Sequence, residues 1–146
     1  MDDAISELEP YSWKTRYPLG RWMGFLISFL ICLHNQVDRV THGAEFVSEM
    51  KVVSDHIFTK SKSSALTNGK FAAFIQENSI DEFYIAGADA AACVKSTCYN
   101  MTKSGYTVHV LSDCITSYDK KKMPELLAYY ESKGCTVTTL RKAMQA

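Results

Sequence analysis

The sequence predicts an α/β domain with three layers, in which helices cover both faces of a mostly parallel sheet. From residue 54 onward, apolar strand-like runs alternate with amphipathic helical segments, and glycines end several of these runs. This alternation is typical of βαβ units, whose right-handed crossovers place parallel strands side by side beneath helices. The length of 146 residues fits one domain with a substantial core. We therefore expect a single domain over residues 1–146.

The regular part of the chain opens with a strand, a helix and a second strand. Residues 55–60 predict the first strand. Residues 68–78 predict an amphipathic helix with Phe71 on its apolar stripe and Asn68 as its N-cap. Residues 81–87 predict the next strand, which ends at a glycine.

The remaining segments repeat the same pattern. Residues 91–105 carry apolar side chains at helical spacing, and Gly105 is placed to end that helix. Residues 106–113 predict a strand, and residues 123–134 predict a helix with a proline in its first turn. Residues 135–140 predict a last strand before a short tail.

The first third of the chain has a different character. Residues 1–20 carry two of the three prolines and no clear period, which predicts an irregular arm that is extended or contains a short helix. Residues 22–33 are uncharged and follow basic residues, as a signal segment or membrane anchor would. They are shorter than the roughly 20 residues that span a bilayer, and apolar runs of this length are typical of buried parallel strands. We favour a buried strand, with a membrane anchor as the alternative.

Charge and cysteine content exclude several classes of protein. Sixteen basic and sixteen acidic residues balance, whereas nucleic-acid binding requires a basic excess. The five cysteines include no CxxC pair, which indicates neither a disulfide framework nor a zinc site and favours a reducing cytoplasm. We expect a small-molecule substrate, no nucleic-acid or membrane partner, and no metal or other cofactor.

Candidate catalytic side chains follow the predicted strands, at the sheet edge where ligands gather in parallel sheets. Cys93 lies in the first turn of the helix after the 81–87 strand, where helix-end N–H groups favour a thiolate. Lys60 ends the 55–60 strand, and a nearby ammonium would lower a thiol pKa further. Asp113 ends the third strand. Free cysteines are also common core residues, so packing alone is the competing interpretation of Cys93.

Several motifs occur in a fixed order along the chain. FYIAGADAAACVKSTCYNMTKSGYTVHVLSDCI (83–115) combines a glycine, a short loop, Cys-Val, a threonine four residues after the cysteine, and Gly-Tyr-x-Val before a strand. THGAEFVSEMKVVSDHIFTKSKSSAL (41–66) contains Gly-Ala-Glu, a lysine and Ser-Ala-Leu. Together they resemble the isochorismatase-like cysteine hydrolases, a superfamily that includes the nicotinamidases. The resemblance covers about residues 43–140.

The resemblance implies a Rossmann-like isochorismatase fold and a Cys-Lys-Asp triad. This triad would hydrolyse a small amide or similar C–N bond through a thioester. Cys93 would be the nucleophile and Lys60 would stabilise its thiolate. The loop of Gly87, Ala88 and Asp89 would carry a cis peptide bond between Ala88 and Asp89. The backbone N–H groups of Asp89 and Cys93 would form the oxyanion hole.

The aspartate of the triad has no obvious counterpart, because the family's Ile-Asp-x-Gln segment does not occur. One alignment places His34 at the aspartate position. The other treats residues 26–36 as the family's second strand, and we prefer it because the sequence from His34 to Lys60 is too short for the usual helix and strand. Asp2 and Asp3 would then need the N-terminal arm to fold back. The Asp-x-His metal motif of nicotinamidases is also absent, so no metal is assigned.

Two classes of function are open at this point. The first is a cysteine-dependent hydrolase of the amidase type, with Asp113 in a structural role. The alternative is a catalytically inactive family member that acts as an oligomeric scaffold or binding subunit. Loss of the family's first strand would expose a sheet edge, which proteins normally cover. We therefore expect residues 1–33 or a second copy of the chain to cover it, and a homo-oligomer.

Overall fold

The computed structural model describes residues 56–145, in which three parallel strands form one sheet in the order β1–β2–β3. The strands are β1 (Glu82–Ala88), β2 (Thr107–Thr116) and β3 (Thr136–Thr138). The helices are α1 (Gly69–Glu77), α2 (Cys93–Lys103), α3 (Met123–Ser132) and α4 (Leu140–Gln145), with short 3-10 turns at Ala65–Thr67 and Lys120–Lys122. The predicted parallel sheet with accompanying helices is confirmed.

The larger part of the core lies on one face of the sheet. Alternate strand residues point to this face, because successive side chains of a strand point to opposite sides. Phe83 and Ile85 of β1 and Val108 and Val110 of β2 are all buried there. Buried side chains of α1, α2 and α3, including Tyr130, pack against them. Burial of this apolar surface holds the three helices on the sheet.

The opposite face carries α4 and a polar cluster. Tyr84 and Leu111 pack with Ala143 of α4. His109 lies in register with Tyr84 and stacks on its ring, with 4.5 Å between ring centroids. A ring nitrogen of His109 lies 2.8 Å from a carboxylate oxygen of Glu82. Helices therefore lie on both faces of the sheet.

The predicted helix ends are confirmed at three places. The Asn68 side chain accepts hydrogen bonds from the backbone N–H groups of Lys70 at 2.8 Å and Phe71 at 3.1 Å, which caps α1. Gly105 follows α2 with a φ of 88°, and Gly134 follows α3 with a φ of 87°. Side chains rarely tolerate this left-handed backbone, so glycine is suited to ending both helices.

The strand predicted over 55–60 is wrong for the residues that the structure describes, since 56–60 belong to no strand there. Aromatic packing holds this segment instead. The ring centroid of Phe58 lies 5.2 Å from that of Phe71 and 5.4 Å from that of Phe74, both on α1. Local apolar alternation does not distinguish a paired strand from an extended segment that packs through its side chains.

The end of the third predicted strand and the tail are also corrected. β2 continues to Thr116, so Asp113 lies within the strand rather than at its end. The predicted tail forms α4. Both carboxylate oxygens of Asp113 accept the backbone N–H of Leu140, at 3.0 and 3.3 Å, at the start of α4. Asp113 therefore has a structural role, through a contact that local sequence patterns do not reveal.

The predictions for residues 1–20 and 22–33, and for His34, Asp2 and Asp3, lie outside the described part of the chain. The single domain over 1–146 stays a prediction for the same reason. Among the helices of residues 56–145, none is long and apolar enough to cross a membrane.

Candidate active site

The loop between β1 and α2 begins where the sheet becomes irregular. β1 and β2 pair in regular register up to Ile85, and the register then shifts so that Gly87 lies opposite Ile115. Gly87 has a φ of 125°, in the region that favours glycine. The next peptide bond, between Ala88 and Asp89, is cis. The position of the cis bond implied by the family resemblance is confirmed.

Hydrogen bonds within the loop fix its shape. The Asp89 side chain accepts the N–H of Ala91 at 2.9 Å, and its backbone oxygen accepts the N–H of Val94 at 3.1 Å. The Ala90 N–H donates to the Thr116 carbonyl at 2.8 Å. The Asp89 N–H donates to no residue within 56–145. These bonds orient the start of α2, and the role of the Asp89 N–H in an oxyanion hole stays a prediction.

Tyr130 of α3 supports the same loop from the core. Its buried hydroxyl donates to the carbonyl of Ala90 at 2.5 Å. Burial raises the pKa of Tyr130, because desolvation disfavours the charged phenolate. The hydroxyl therefore remains a protonated donor at neutral pH.

Cys93 is the first residue of α2 and is 1% exposed. It is disulfide-bonded in this structure. The other cysteines within residues 56–145, Cys98, Cys114 and Cys135, are free. The hypothesis of a nucleophilic Cys93 thiolate therefore concerns the reduced protein.

Lys60 lies on the extended segment that precedes α1. Its side chain is partly buried, and its ammonium donates to the carbonyl of Lys62 at 2.8 Å. Burial lowers the pKa of Lys60, because desolvation disfavours the charged form. Its role as the electrostatic partner of Cys93 stays a prediction.

Thr97 joins the segment after Lys60 to the helix that begins at Cys93. Its buried hydroxyl oxygen accepts the backbone N–H of Ala65 at 3.1 Å and lies 3.5 Å from the carbonyl oxygen of Ser63. Residues i and i+4 lie on the same face of a helix, one turn apart, so Thr97 is a neighbour of Cys93 on α2. The structure therefore brings the segments carrying Lys60 and Cys93 into contact.

The sequence assigned no role to two buried side chains, Tyr130 and Ser64. Tyr130 lies in the helix predicted over 123–134, and no sequence pattern signals its bond to Ala90. Ser64 belongs to the Ser-Ala-Leu motif, but the motif does not reveal that its hydroxyl is buried. Among residues 56–145, no three His, Cys, Asp or Glu side chains form a group that could hold a metal ion.

A family model described as "Isochorismatase domain" matches residues 32–142. The chain belongs to this family, which confirms the resemblance found in the sequence. None of the curated proteins compared with the chain matches it.

Solved structures with the same fold include two isochorismatase-type proteins and a nicotinamidase. An isochorismatase-like hydrolase from Alkaliphilus metalliredigens is 24% identical with a TM-score of 0.67, over 73% of this chain and 59% of that one. An isochorismatase family protein from Desulfovibrio vulgaris is 18% identical with a TM-score of 0.67, over 73% and 56%. A nicotinamidase from Staphylococcus aureus is 24% identical with a TM-score of 0.51, over 54% and 52%. The matches span little more than half of these proteins, and at such identities they show the fold alone.

Proposed function

We propose that the chain is a cysteine-dependent hydrolase of a small amide or similar C–N bond. The observation that carries the proposal is the hydrogen bond between the Thr97 hydroxyl and the Ala65 N–H. This bond holds the segment that follows Lys60 against the helix that begins at Cys93. Membership of the isochorismatase domain family supports hydrolysis. The similarity to a nicotinamidase supports an amide as the substrate.

In the proposed reaction, the reduced Cys93 thiolate attacks the carbonyl carbon of the amide and forms a C–S bond. The Lys60 ammonium stabilises the thiolate before attack. The N–H groups of Asp89 and Cys93 receive the negative charge on the carbonyl oxygen. The C–N bond then breaks, the amine takes up a proton and leaves, and water hydrolyses the thioester to a carboxylic acid and the free thiol. His34 is our candidate for the proton donor, with Asp2 and Asp3 as alternatives.

A second candidate is a catalytically inactive family member that acts as a scaffold or binding subunit. It is favoured by the 1% exposure of Cys93 and by its disulfide. A missing proton donor would favour it as well, since general acid–base catalysis contributes typically about 10²–10⁴-fold to rate. Without this group, the cysteine would react with electrophiles but would release amines slowly.

Thiol reactivity of the full chain separates the two candidates. The protein is reduced, freed of reductant and treated with iodoacetamide across a pH series, and labelling is measured for each cysteine by mass spectrometry. We expect Cys93 to react with an apparent pKa well below about 8. Cys114 is the internal reference, because burial and then the adjacent Asp113 carboxylate raise its pKa.

A pair of lysine variants tests the electrostatic role. Lys60→Met should raise the apparent pKa of Cys93, because it removes the proposed positive charge beside the thiolate. Lys62→Met, two residues further along on an exposed side chain, should leave that pKa unchanged. Release of ammonia from nicotinamide and other small amides is measured in parallel, with Cys93→Ala as the inactive control. If Cys93 is labelled only after denaturation, it is a core thiol and the scaffold function is supported instead.

A further inference from the structure

The hydroxyl of Ser64 is buried but makes no hydrogen bond within the described residues. Ser64 is 4% exposed, and its Oγ has no hydrogen-bond partner among residues 56–145. Buried polar atoms nearly always have a partner, because leaving one unsatisfied costs free energy. This hydroxyl therefore requires an explanation beyond packing.

The local structure around Ser64 does not depend on its hydroxyl. Ser64 stands at the N-cap of the 3-10 turn Ala65–Thr67, where a serine side chain commonly accepts a backbone N–H, but it makes no such bond. Its backbone oxygen accepts the Thr67 hydroxyl at 2.6 Å and the Thr67 N–H at 3.3 Å. The backbone is thus fixed by Thr67, and the hydroxyl is left for another group.

Ser64 lies on the short segment that connects Lys60 to the contact with α2. The next residue, Ala65, donates its N–H to Thr97 on α2, one turn after Cys93. Lys60 precedes Ser64 on the same short segment. The buried hydroxyl therefore lies on the stretch of chain that packs against the helix of the proposed nucleophile.

Among the groups assigned to the site, Ser64 supplies a kind of bond that the others do not. The Lys60 ammonium and the backbone N–H groups of Asp89 and Cys93 are donors only. They suit a thiolate or a carbonyl oxygen, whereas the N–H₂ group of a carboxamide needs an acceptor. A serine hydroxyl offers two lone pairs as well as one proton.

We propose that Ser64 Oγ is a substrate-binding group that accepts a hydrogen bond from the N–H₂ group of a primary carboxamide. This inference rests on the proposed function and adds a basis for preferring amides over esters of the same acid. An ester has the same carbonyl but no N–H to donate. Ser64 therefore contributes to the binding of amides and not to the binding of the matching esters.

The test compares Ser64→Ala with Ser63→Ala, which makes the same change at an exposed neighbour. The substrates are nicotinamide, pyrazinamide and benzamide, each paired with the methyl ester of the same acid. Two quantities are measured on the reduced full chain: kcat/KM, and the concentration at which each compound halves the rate of Cys93 alkylation by iodoacetamide. Thermal unfolding is recorded for each variant.

We expect Ser64→Ala to lower kcat/KM for amides by about tenfold, as loss of one hydrogen bond would do. The amide concentration that halves the rate of Cys93 alkylation should rise by the same factor. For the methyl esters, kcat/KM and the concentration that halves Cys93 alkylation should not change. Melting temperature should stay the same or rise, because the substitution removes an unsatisfied buried hydroxyl. Ser63→Ala should leave all these quantities unchanged.

The outcomes separate this inference from the proposed function. If the unsubstituted chain neither hydrolyses amides nor is protected by them, both fail. If amides are hydrolysed but Ser64→Ala affects amides and esters equally, or neither, the Ser64 inference alone is overturned. A lower melting temperature with unchanged preference for amides would identify a structural partner for the hydroxyl and would also overturn it.

Discussion

Replacing Thr97 with valine tests the hydrogen bond between α2, which begins at Cys93, and the segment that follows Lys60. Valine has nearly the same shape as threonine, so the substitution removes the hydroxyl and keeps the packing of a branched side chain in α2. The buried N–H of Ala65 then loses its acceptor, which stands at 3.1 Å in the structure. The same change also removes the weaker contact with Ser63 at 3.5 Å.

The size of the effect follows from the cost of an unsatisfied buried group. Leaving a buried donor without a partner costs about 1–3 kcal/mol. With a typical urea m-value of about 2 kcal/mol per molar, the unfolding midpoint should fall by roughly 0.5–1.5 M without a change in m. We also expect a loss of kcat/KM, because the segment carrying Lys60 and Ser64 loses a hydrogen bond that positions it on α2, and small displacements at an active site cost up to about 10²-fold.

Thr102→Val is the matched control, in the same helix and with the same change of side chain. Its hydroxyl donates at 3.0 Å to the carbonyls of Cys98 and Tyr99. Carbonyls in a helix also accept backbone hydrogen bonds, so removing the Thr102 hydroxyl leaves no buried N–H without an acceptor. Urea unfolding followed by circular dichroism gives the midpoints. Equal midpoint shifts for the two variants, or Thr97→Val with unaltered activity in an active enzyme, would refute the assigned role of Thr97.

Two further predictions concern contacts at the loop and at the last helix. Because burial raises the pKa of Tyr130 above its ordinary value of 10.0, the folded state holds this proton more tightly, so stability should fall as pH rises above 10. Tyr130→Phe should lower the free energy of unfolding by about 1–3 kcal/mol at pH 7, because the Ala90 carbonyl loses its donor. In urea titrations, the difference between this variant and the unsubstituted chain should shrink above pH 10. A difference that stays constant with pH would contradict the raised pKa of Tyr130. Asp113→Ala should lower the free energy of unfolding by about 0.5–2 kcal/mol, because the Leu140 N–H loses its acceptor at the start of α4. The control Asp81→Ala, at an exposed position, should change it by less than about 0.5 kcal/mol. Equal effects of the two substitutions would show that Asp113 does not cap α4.

Elements defined by neighbouring residues could be predicted from the sequence. Asn68 was predicted to cap α1 and Gly105 to end α2, because capping depends on residues within one turn. The order of parallel strands and helices followed from the alternation of apolar patterns. The position of the cis bond between Ala88 and Asp89 was implied by the family resemblance. The conformational preferences of the neighbouring residues do not predict it.

Elements defined by distant partners could not be predicted. Residues 56–60 have the apolar content of a strand, yet Phe58 packs on α1 through its ring. β2 continues beyond Asp113, and that side chain accepts a hydrogen bond from a residue 27 positions away. A local pattern records how apolar a segment is, but not which group will satisfy its polar atoms.

The same division applies to the candidate site. By itself, the sequence determined the family of the chain and proposed Cys93 and Lys60 as catalytic residues, because their spacing to neighbouring motifs is a property of the linear chain. Only the tertiary structure decided that Thr97 binds Ala65 and that Ser64 keeps its hydroxyl buried without a partner within the described residues. The reason is physical: hydrogen bonds and burial depend on distances between atoms that are far apart in sequence, and folding alone sets those distances.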